Sequence, residues 1–234
     1  MIYRQLATFY DALVKNEQAT QAWVSFVKQY VQGTRILELA CGSGEMALSL
    51  SKIGYEIDAS DQSQWMLQKA KEKQGSDKVQ WLVMDMLAFQ TNKSYDAILC
   101  FCDSINYILK EEELIKLFSN IYQSLPENGV FLMDMHSVDR LVEFQEEYIE
   151  TGHVEGYAYE WHIFSEDDYL YQNFAFYNDE AKPIMEQHIQ RVYDPMQVKQ
   201  MLCDIGFHVQ IMTDFVFEGI QEGEKYFYIC KKGD

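Results

Sequence analysis

Residues 36–48, Ile-Leu-Glu-Leu-Ala-Cys-Gly-Ser-Gly-Glu-Met-Ala-Leu, constrain the fold more than any other stretch of the chain. A short apolar run carries an acid near its end and passes through a tight Gly-x-Gly turn at Gly42 and Gly44. It then becomes a helix with Met46, Leu48 and Leu50 as apolar positions. This is strand, glycine turn, helix. The glycines let the backbone approach a ligand where a Cβ would clash, and the helix aims its unpaired N–H groups at the same point. An anionic group of a small cofactor suits that spot.

Two further strands follow the same plan. Residues 55–60 lead to Asp61, and residues 79–84 lead to Asp85. Asp58 and Asp61 are both placed to reach a ribose. Asp61 is preferred because it lies beyond the strand, where open parallel sheets bind ligands. It also sits beside Ser63, a helix N-cap position, and both roles are compatible.

Glu38-x-Ala40-x-Gly42-x-Gly44, followed by Asp61, resembles the cofactor motif of class I S-adenosylmethionine (SAM) dependent methyltransferases. The resemblance implies that Glu38 contacts the cofactor's amino group and that the turn from Ala40 through Gly42 to Gly44 takes its methionine portion. It implies ribose contacts for Asp61, a cofactor contact for Gln62, and adenine contacts for Asp85 and the backbone of Met86. Trp65 and Met66 are core candidates of which one could flank the adenine, and Met66 is preferred. Tyr10, in a Tyr10-Asp11 pair of the kind many small-molecule methyltransferases carry, is expected to close over the cofactor. Ala40 stands where the family usually has glycine; a methyl there is a small change, so a looser fit with retained binding is expected.

Gly42-x-Gly44-x-x-Ala47 also satisfies the dinucleotide fingerprint, and Asp61 lies at about the ~20-residue spacing of a ribose acid. The glycines alone do not separate the two cofactors. Glu38 does: a buried carboxylate needs a partner, which the amino group of SAM supplies, whereas a pyrophosphate is repelled. Asp85 is the second discriminator. An ammonium, two hydroxyls and an exocyclic amine match three acids at successive strand tips.

With 234 residues and 48% hydrophobic content the chain can bury one substantial core, so one domain is expected over residues 1–234. Within it, residues 1–32 read as an N-terminal helical cap and residues 150–193 as an antiparallel β lid. The 3 prolines and 12 glycines argue against a long flexible linker. A net charge of −18 works against a polyanionic partner unless cations cluster, and the densest run, Lys69, Lys71, Lys73 and Lys78, is interleaved with Glu72 and Asp77. Nucleic acid is therefore disfavoured. Five cysteines without a C-x-x-C pair suit reduced thiols. No apolar stretch approaches the ~18 residues that span a bilayer and no signal segment is visible, so a soluble, cytoplasmic protein is expected.

Residues 3–31 read as two helices, whose aromatic residues are expected mostly to cover a sheet edge. Residues 45–53 and 111–124 are further helices. Residues 95–101 and 130–135 are the fourth and fifth strands, the fourth a near-continuous apolar run suited to a buried parallel strand. The fourth strand enters Cys102-Asp103-Ser104-Ile105-Asn106-Tyr107, similar to a loop of small bacterial class I methyltransferases of poorly defined substrate. Asp103 and Asn106 are alternatively helix caps. His136 ends a central strand on the ligand side, making it a candidate general base. No His pair stands at metal-ligand spacing, so no metal is expected.

Residues 153–163, 169–177 and 184–193 alternate and are rich in aromatics, with Asp167-Asp168 and Asn178-Asp179-Glu180 between them. Three antiparallel strands inserted here would stand over the C-terminal edge of the sheet. Tyr157, Tyr159, Trp161, Tyr171, His188 and Arg191, with Asn106 and Tyr107, are candidates for an acceptor pocket. The same aromatic sheet could serve a homodimer, so monomer and dimer both stay open. Asp194-Pro195 starts another helix, which stops at Gly206. Two closing strands, 207–217 and 225–231, complete the expected α/β, Rossmann-like, seven-stranded, mostly parallel sheet with helices on both faces and a β insertion after strand 5.

The resemblance implies methyl transfer to a small-molecule nitrogen, oxygen or carbon nucleophile, with S-adenosylhomocysteine as product. Positioning an acceptor in line with a reactive methyl could supply roughly 7–11 kcal/mol of barrier reduction. Tyr10 and Phe101 are candidates to flank the sulfonium through cation–π attraction. His136 or Asp103 would take a proton where one must leave. The alternatives are an NAD-dependent oxidoreductase and a non-catalytic SAM-binding regulator.

Overall fold

The computed structural model describes residues 6–14, 16–178 and 182–233. In chain order its elements are α1 Tyr10–Val14, α2 Glu17–Tyr30, β1 Arg35–Leu39, α3 Glu45–Lys52, β2 Glu56–Asp61, α4 Gln64–Glu72 and β3 Val79–Val83. There follow β4 Ala97–Cys100, α5 Glu111–Ser124, β5 Val130–His136, α6 Asp139–Glu143, β6 Tyr148–Val154, β7 Tyr157–Glu166, β8 Tyr169–Tyr177 and β9 Ile184–Arg191. The chain closes with α7 Pro195–Ile205, β10 Phe207–Thr213, β11 Phe217–Glu218 and β12 Lys225–Lys232.

The large sheet has the order β11-β10-β12-β5-β4-β1-β2-β3, parallel from β5 to β3 and antiparallel from β5 through β12 and β10 to β11. Successive residues of β1 feed opposite faces. Ile36 joins Val27, Ala47 and Leu50 on one side, while Leu37 joins Leu114, Phe118 and Leu202 on the other. That two-sided burial is why the central strands read as unbroken apolar runs. Strand order reverses between β1 and β4, and ligands bind in such sheets beyond the strand ends at that switch point.

The sheet carries eight strands rather than the expected seven. Asp214 (φ 48°) and Phe215 (φ 64°) turn the backbone left-handed and split the run 207–217 into β10 and the two-residue β11. The insertion is likewise a four-stranded sheet, β6-β7-β8-β9, not three strands. Glu155 (φ 49°) and Gly156 (φ 80°) form a two-residue hairpin turn inside the run 153–163, pairing Val154 with Tyr157. The sheet begins at Tyr148, ahead of the expected residue 150, and its last strand ends at Arg191.

Two of the N-terminal aromatics, Phe9 and Phe26, pack away from the sheet edges, while Trp23 and Tyr30 reach Phe215 and Met212 toward the β11 edge. Phe26 packs on Phe101 and Phe227 over the large sheet. Phe9 stacks on Phe176 at 4.2 Å and meets Tyr157 edge-on, while the Leu6 N–H donates to Glu186 Oε2 at 3.0 Å. The segment before α2 is thus fastened to the insertion. Residues 3–5 of the expected helix, and Asp179 and Glu180 of the expected turn, lie outside the described residues. Asp194 caps α7 as its spacing predicts, accepting from the N–H groups of Met196 and Gln197.

Candidate active site

A cavity of about 580 Å³ runs from the glycine loop after β1 to the underside of the inserted sheet. Tyr10, Glu38, Ala40, Gly42, Asp61, Gln62, Met66, Asp85, Met86 and Phe101 all line it, as do Asp103, Tyr107, His136, Trp161 and His188. All fifteen were singled out from sequence; of the other candidates, Tyr157, Tyr159 and Tyr171 are absent from the lining. Gly44, Asn106 and Arg191 are not in the lining.

At the cofactor end, the turn needs left-handed backbone at Ala40 (φ 52°), Gly42 (φ 54°) and Gly44 (φ 81°). The consequence of alanine at position 40 is therefore backbone strain, and not simply the looser fit expected from its methyl group. Gly44 faces the body of the protein instead of the cavity. A Cβ there would lie 2.4 Å from the Trp81 ring, so this glycine lets β3 pack beneath the loop.

Asp61 accepts from the N–H of Gly42 at 2.9 Å and of Ser63 at 2.7 Å, which binds the tips of β1 and β2 together. Burial raises its pKa, and those two bonds oppose the rise. Asp58, the alternative ribose acid, is engaged with Lys93 at 2.6 Å and the Tyr95 hydroxyl at 2.7 Å, away from this cavity. Asp85 accepts from the Leu87 N–H at 2.9 Å.

Glu38 is only 4% exposed, and its Oε2 makes no hydrogen bond. Burial, with the neighbouring Asp61 charge, pushes its pKa up to about 8 against one opposing bond from the Ala47 N–H. A buried carboxylate oxygen of this kind calls for a cationic donor. Above the loop, Asp11 on α1 accepts from Ser43 Oγ at 2.5 Å and pairs with Lys73 at 2.7 Å, and Lys73 also pairs with Glu45 at 2.7 Å. This cluster pins the N-terminal segment across the glycine turn.

At the other end, the tips of β4, β5 and β12 bring Asp103, Asp134, His136 and Lys225 together. Lys225 Nζ lies 2.5 Å from Asp103 Oδ2 and 3.6 Å from Asp134 Oδ2. Burial pulls the lysine down, but the two carboxylates outweigh it and hold it charged. Burial raises Asp103 too, yet His136 and Lys225 leave it below the usual carboxylate range. Burial leaves Asp134, the less closely paired of the two, at about 6. Trp23 Nε1 donates to Asp134 at 3.2 Å and closes this corner from α2.

The His136 ring is held from the inserted sheet. Gln190 Nε2 donates to the main-chain oxygen of Asp103 at 3.1 Å, so Gln190 Oε1 must be the atom facing His136 Nε2 at 3.1 Å. That places an imidazole proton on Nε2. Burial depresses the His136 pKa against the pull of Asp103. Asn106 and Arg191 stand behind this wall. Asn106, fully buried, accepts from the His136 N–H and donates to the Arg191 carbonyl, while the Arg191 guanidinium reaches Leu109 O and Glu111. Both brace the site without lining it. Tyr157, Tyr159 and Tyr171 also face elsewhere, on Phe9, Glu150 and Phe164 respectively.

The sequence reading passed over Asp134, Gln172, Gln190, Lys225 and Trp23. Signals existed for some of them. Asp134 is a lone acid in a strand whose other positions are nearly all apolar, and Glu186, His188 and Gln190 alternate along one face of β9.

A sequence model of a methyltransferase domain family matches residues 36–129, the span from β1 to the start of β5. A protein of Geobacillus sp. (strain WCH70) that bears a methyltransferase name is 36% identical over 248 aligned residues, covering 99% of this chain and 100% of its own. The chain belongs to the class I SAM-dependent methyltransferases. The methyltransferase-named YqeM of Bacillus subtilis (strain 168) is 29% identical over 99% of this chain and 98% of its own. A SAM-dependent methyltransferase from Clostridium acetobutylicum ATCC 824 shares the fold, with a TM-score of 0.83 at 24% identity over 99% of both chains.

This methyltransferase is therefore an enzyme that uses SAM, and the cavity fits that cofactor on its own evidence. The unbonded Glu38 Oε2 matches the ammonium, and the positive-φ turn admits a close-lying chain. The NAD reading falls, since a pyrophosphate would face a buried carboxylate, and so does that of a non-catalytic regulator. No helix among the described residues is long and apolar enough to cross a membrane.

Proposed function

We propose that this methyltransferase acts on a small-molecule acceptor enclosed between the tips of β4 and β5 and the inserted sheet. One observation carries this reading: the cofactor end and the acceptor end form one cavity, whose volume lies in the range of small-molecule sites, roughly 300–1,000 Å³. Trp161, Ile163, Leu170 and Phe174 roof it, with Gln172, His188 and Gln190 among them. A polymer or a protein surface would find little room beneath them.

In this reading Glu38 holds the amino group of SAM, Asp61 the ribose hydroxyls and Asp85 the adenine, with Met66 and Met86 at the ring and Tyr10 and Phe101 nearer the sulfonium. When bound, the cofactor supplies a sulfonium-activated methyl group and leaves as S-adenosylhomocysteine once a nucleophile's lone pair has formed the new bond. The protein's own part is mainly positional. The N-terminal segment and the roof exclude water. His136, neutral with its proton on Nε2, takes a proton at Nδ1 when the acceptor must lose one.

The test is incubation with methyl-labelled SAM and a fractionated extract. Label is expected in the low-molecular-mass fraction. Label confined to protein or nucleic acid would remove the small-molecule reading, while titration with S-adenosylhomocysteine checks cofactor binding separately.

A further inference from the structure

Two acceptor atoms at the inner end of the cavity oppose each other. His136 Nδ1 and Asp103 Oδ1 are buried, 3.5 Å apart, and neither makes a hydrogen bond. With the Nε2 proton fixed by Gln190, neutral His136 presents a lone pair at Nδ1, so two lone pairs meet where a hydrogen belongs. Burial and the Lys225 charge disfavour supplying that hydrogen by protonating the ring. A donor from outside the chain, a water or a ligand group, fits between them. A hydroxyl carries one hydrogen and satisfies one of the two atoms; an amine or ammonium carries two or more and satisfies both.

The surrounding charge selects the same chemistry. Of the acids that line the cavity, Asp11 and Glu45 are paired with Lys73 and Glu38 holds a proton below about pH 8, which leaves Asp61, Asp85 and Asp103 against Arg140 and Lys225, and both of those cations are paired, with Glu143 and with Asp103. An anionic acceptor would meet a field of its own sign, and a cationic one the opposite. Trp161 and Phe174, which line the same cavity, stack at 5.0 Å and offer a flat apolar wall, with the buried Trp161 Nε1–H making no hydrogen bond.

We propose that the methyl acceptor is a small amine, bound through two N–H groups to Asp103 Oδ1 and His136 Nδ1 with its apolar body against Trp161 and Phe174. This rests on the methyl-transfer reading and names its substrate class. The amine binds after its ammonium has given one proton to solvent; its two N–H bonds go to Asp103 Oδ1 and His136 Nδ1, and the lone pair uncovered by that lost proton points at neither residue and is free to accept the methyl group.

The test is calorimetric titration of the whole protein, first with S-adenosylhomocysteine and then, on the saturated protein, with benzylamine and with its near-isostere benzyl alcohol. Benzylamine is expected to bind at least about tenfold more tightly and to shift the Trp161 indole N–H resonance. Asp103→Asn is expected to abolish most of that preference. Equal affinity for the two probes, binding of neither at millimolar concentration, or an undiminished preference in a folded Asp103→Asn protein overturns the proposal. The wild-type comparison decides without any variant. Failure of S-adenosylhomocysteine to bind in the first titration would instead strike the methyl-donor reading.

Discussion

The Gly42 N–H donates to Asp61 Oδ2 at 2.9 Å, so the acid at the tip of β2 holds the glycine loop at the tip of β1. With the Ser63 N–H on its other oxygen, Asp61 fixes the loop's shape before any ligand arrives. Asn can accept only one of these two bonds well. Asp61→Asn is expected to cost about 1–2 kcal/mol of stability, from one unmade buried bond. It should also weaken S-adenosylhomocysteine binding by tenfold or more, read by urea denaturation and calorimetry. A variant with wild-type stability would show that the loop is held by other contacts.

Ala40 sits at φ 52° without the freedom of glycine. Left-handed backbone costs an alanine about 1–2 kcal/mol, while glycine adds roughly 0.4–1 kcal/mol of unfolded-state entropy to be lost. Ala40→Gly should therefore stabilise the protein by about 0.5–1 kcal/mol, visible as a higher melting temperature with little change in cofactor affinity. A lower melting temperature would show that the alanine methyl makes compensating contacts.

The parallel half of the sheet and its ligand end were legible because local chemistry determines them. Apolar runs ending in Glu38, Asp61 and Asp85 identify strand tips, and Gly42 requires a turn. Less could be read where the decisive fact is a pairing between distant residues. His136 is a lone histidine in sequence; only the fold brings it to Gln190 and Asp103, 54 and 33 positions away. Arg191 looked like a pocket cation, yet Glu111, 80 positions away, draws it off. The Glu155–Gly156 hairpin was missed because alternation continues through a two-residue turn, leaving one apparent strand where there are two.

Lys225 neutralises two carboxylates that burial would otherwise penalise. Lys225→Met leaves Asp103 and Asp134 facing each other without a cation, and losing one partner of a buried ionic group costs about 3–5 kcal/mol. That loss is expected at pH 7. It should shrink toward pH 5, because Asp134 already titrates near 6 with the lysine present and both acids rise further without it. Urea unfolding at the two pH values checks this; an equal loss at both would mean that the lysine acts by packing on Trp23 and not by charge.

Glu38 links cofactor binding to pH. Its pKa of about 8 in the folded protein lies above the usual 4.5, so between those values the folded state holds a proton that the unfolded state has released. Stability must then fall as pH rises from about 4.5 to about 8 and level off above, by up to about 5 kcal/mol from this group alone. A bound ammonium reverses the preference, since it favours the ionised carboxylate. Affinity for S-adenosylhomocysteine should accordingly rise with pH through the neutral range, with a proton released on binding below pH 8. In Glu38→Gln, both the loss of stability with pH and the proton release should largely disappear, and affinity should be low at every pH. Calorimetry in buffers of different ionisation enthalpy counts the proton directly. A wild-type protein that releases none at pH 7 would place the charge-bearing contact on another residue.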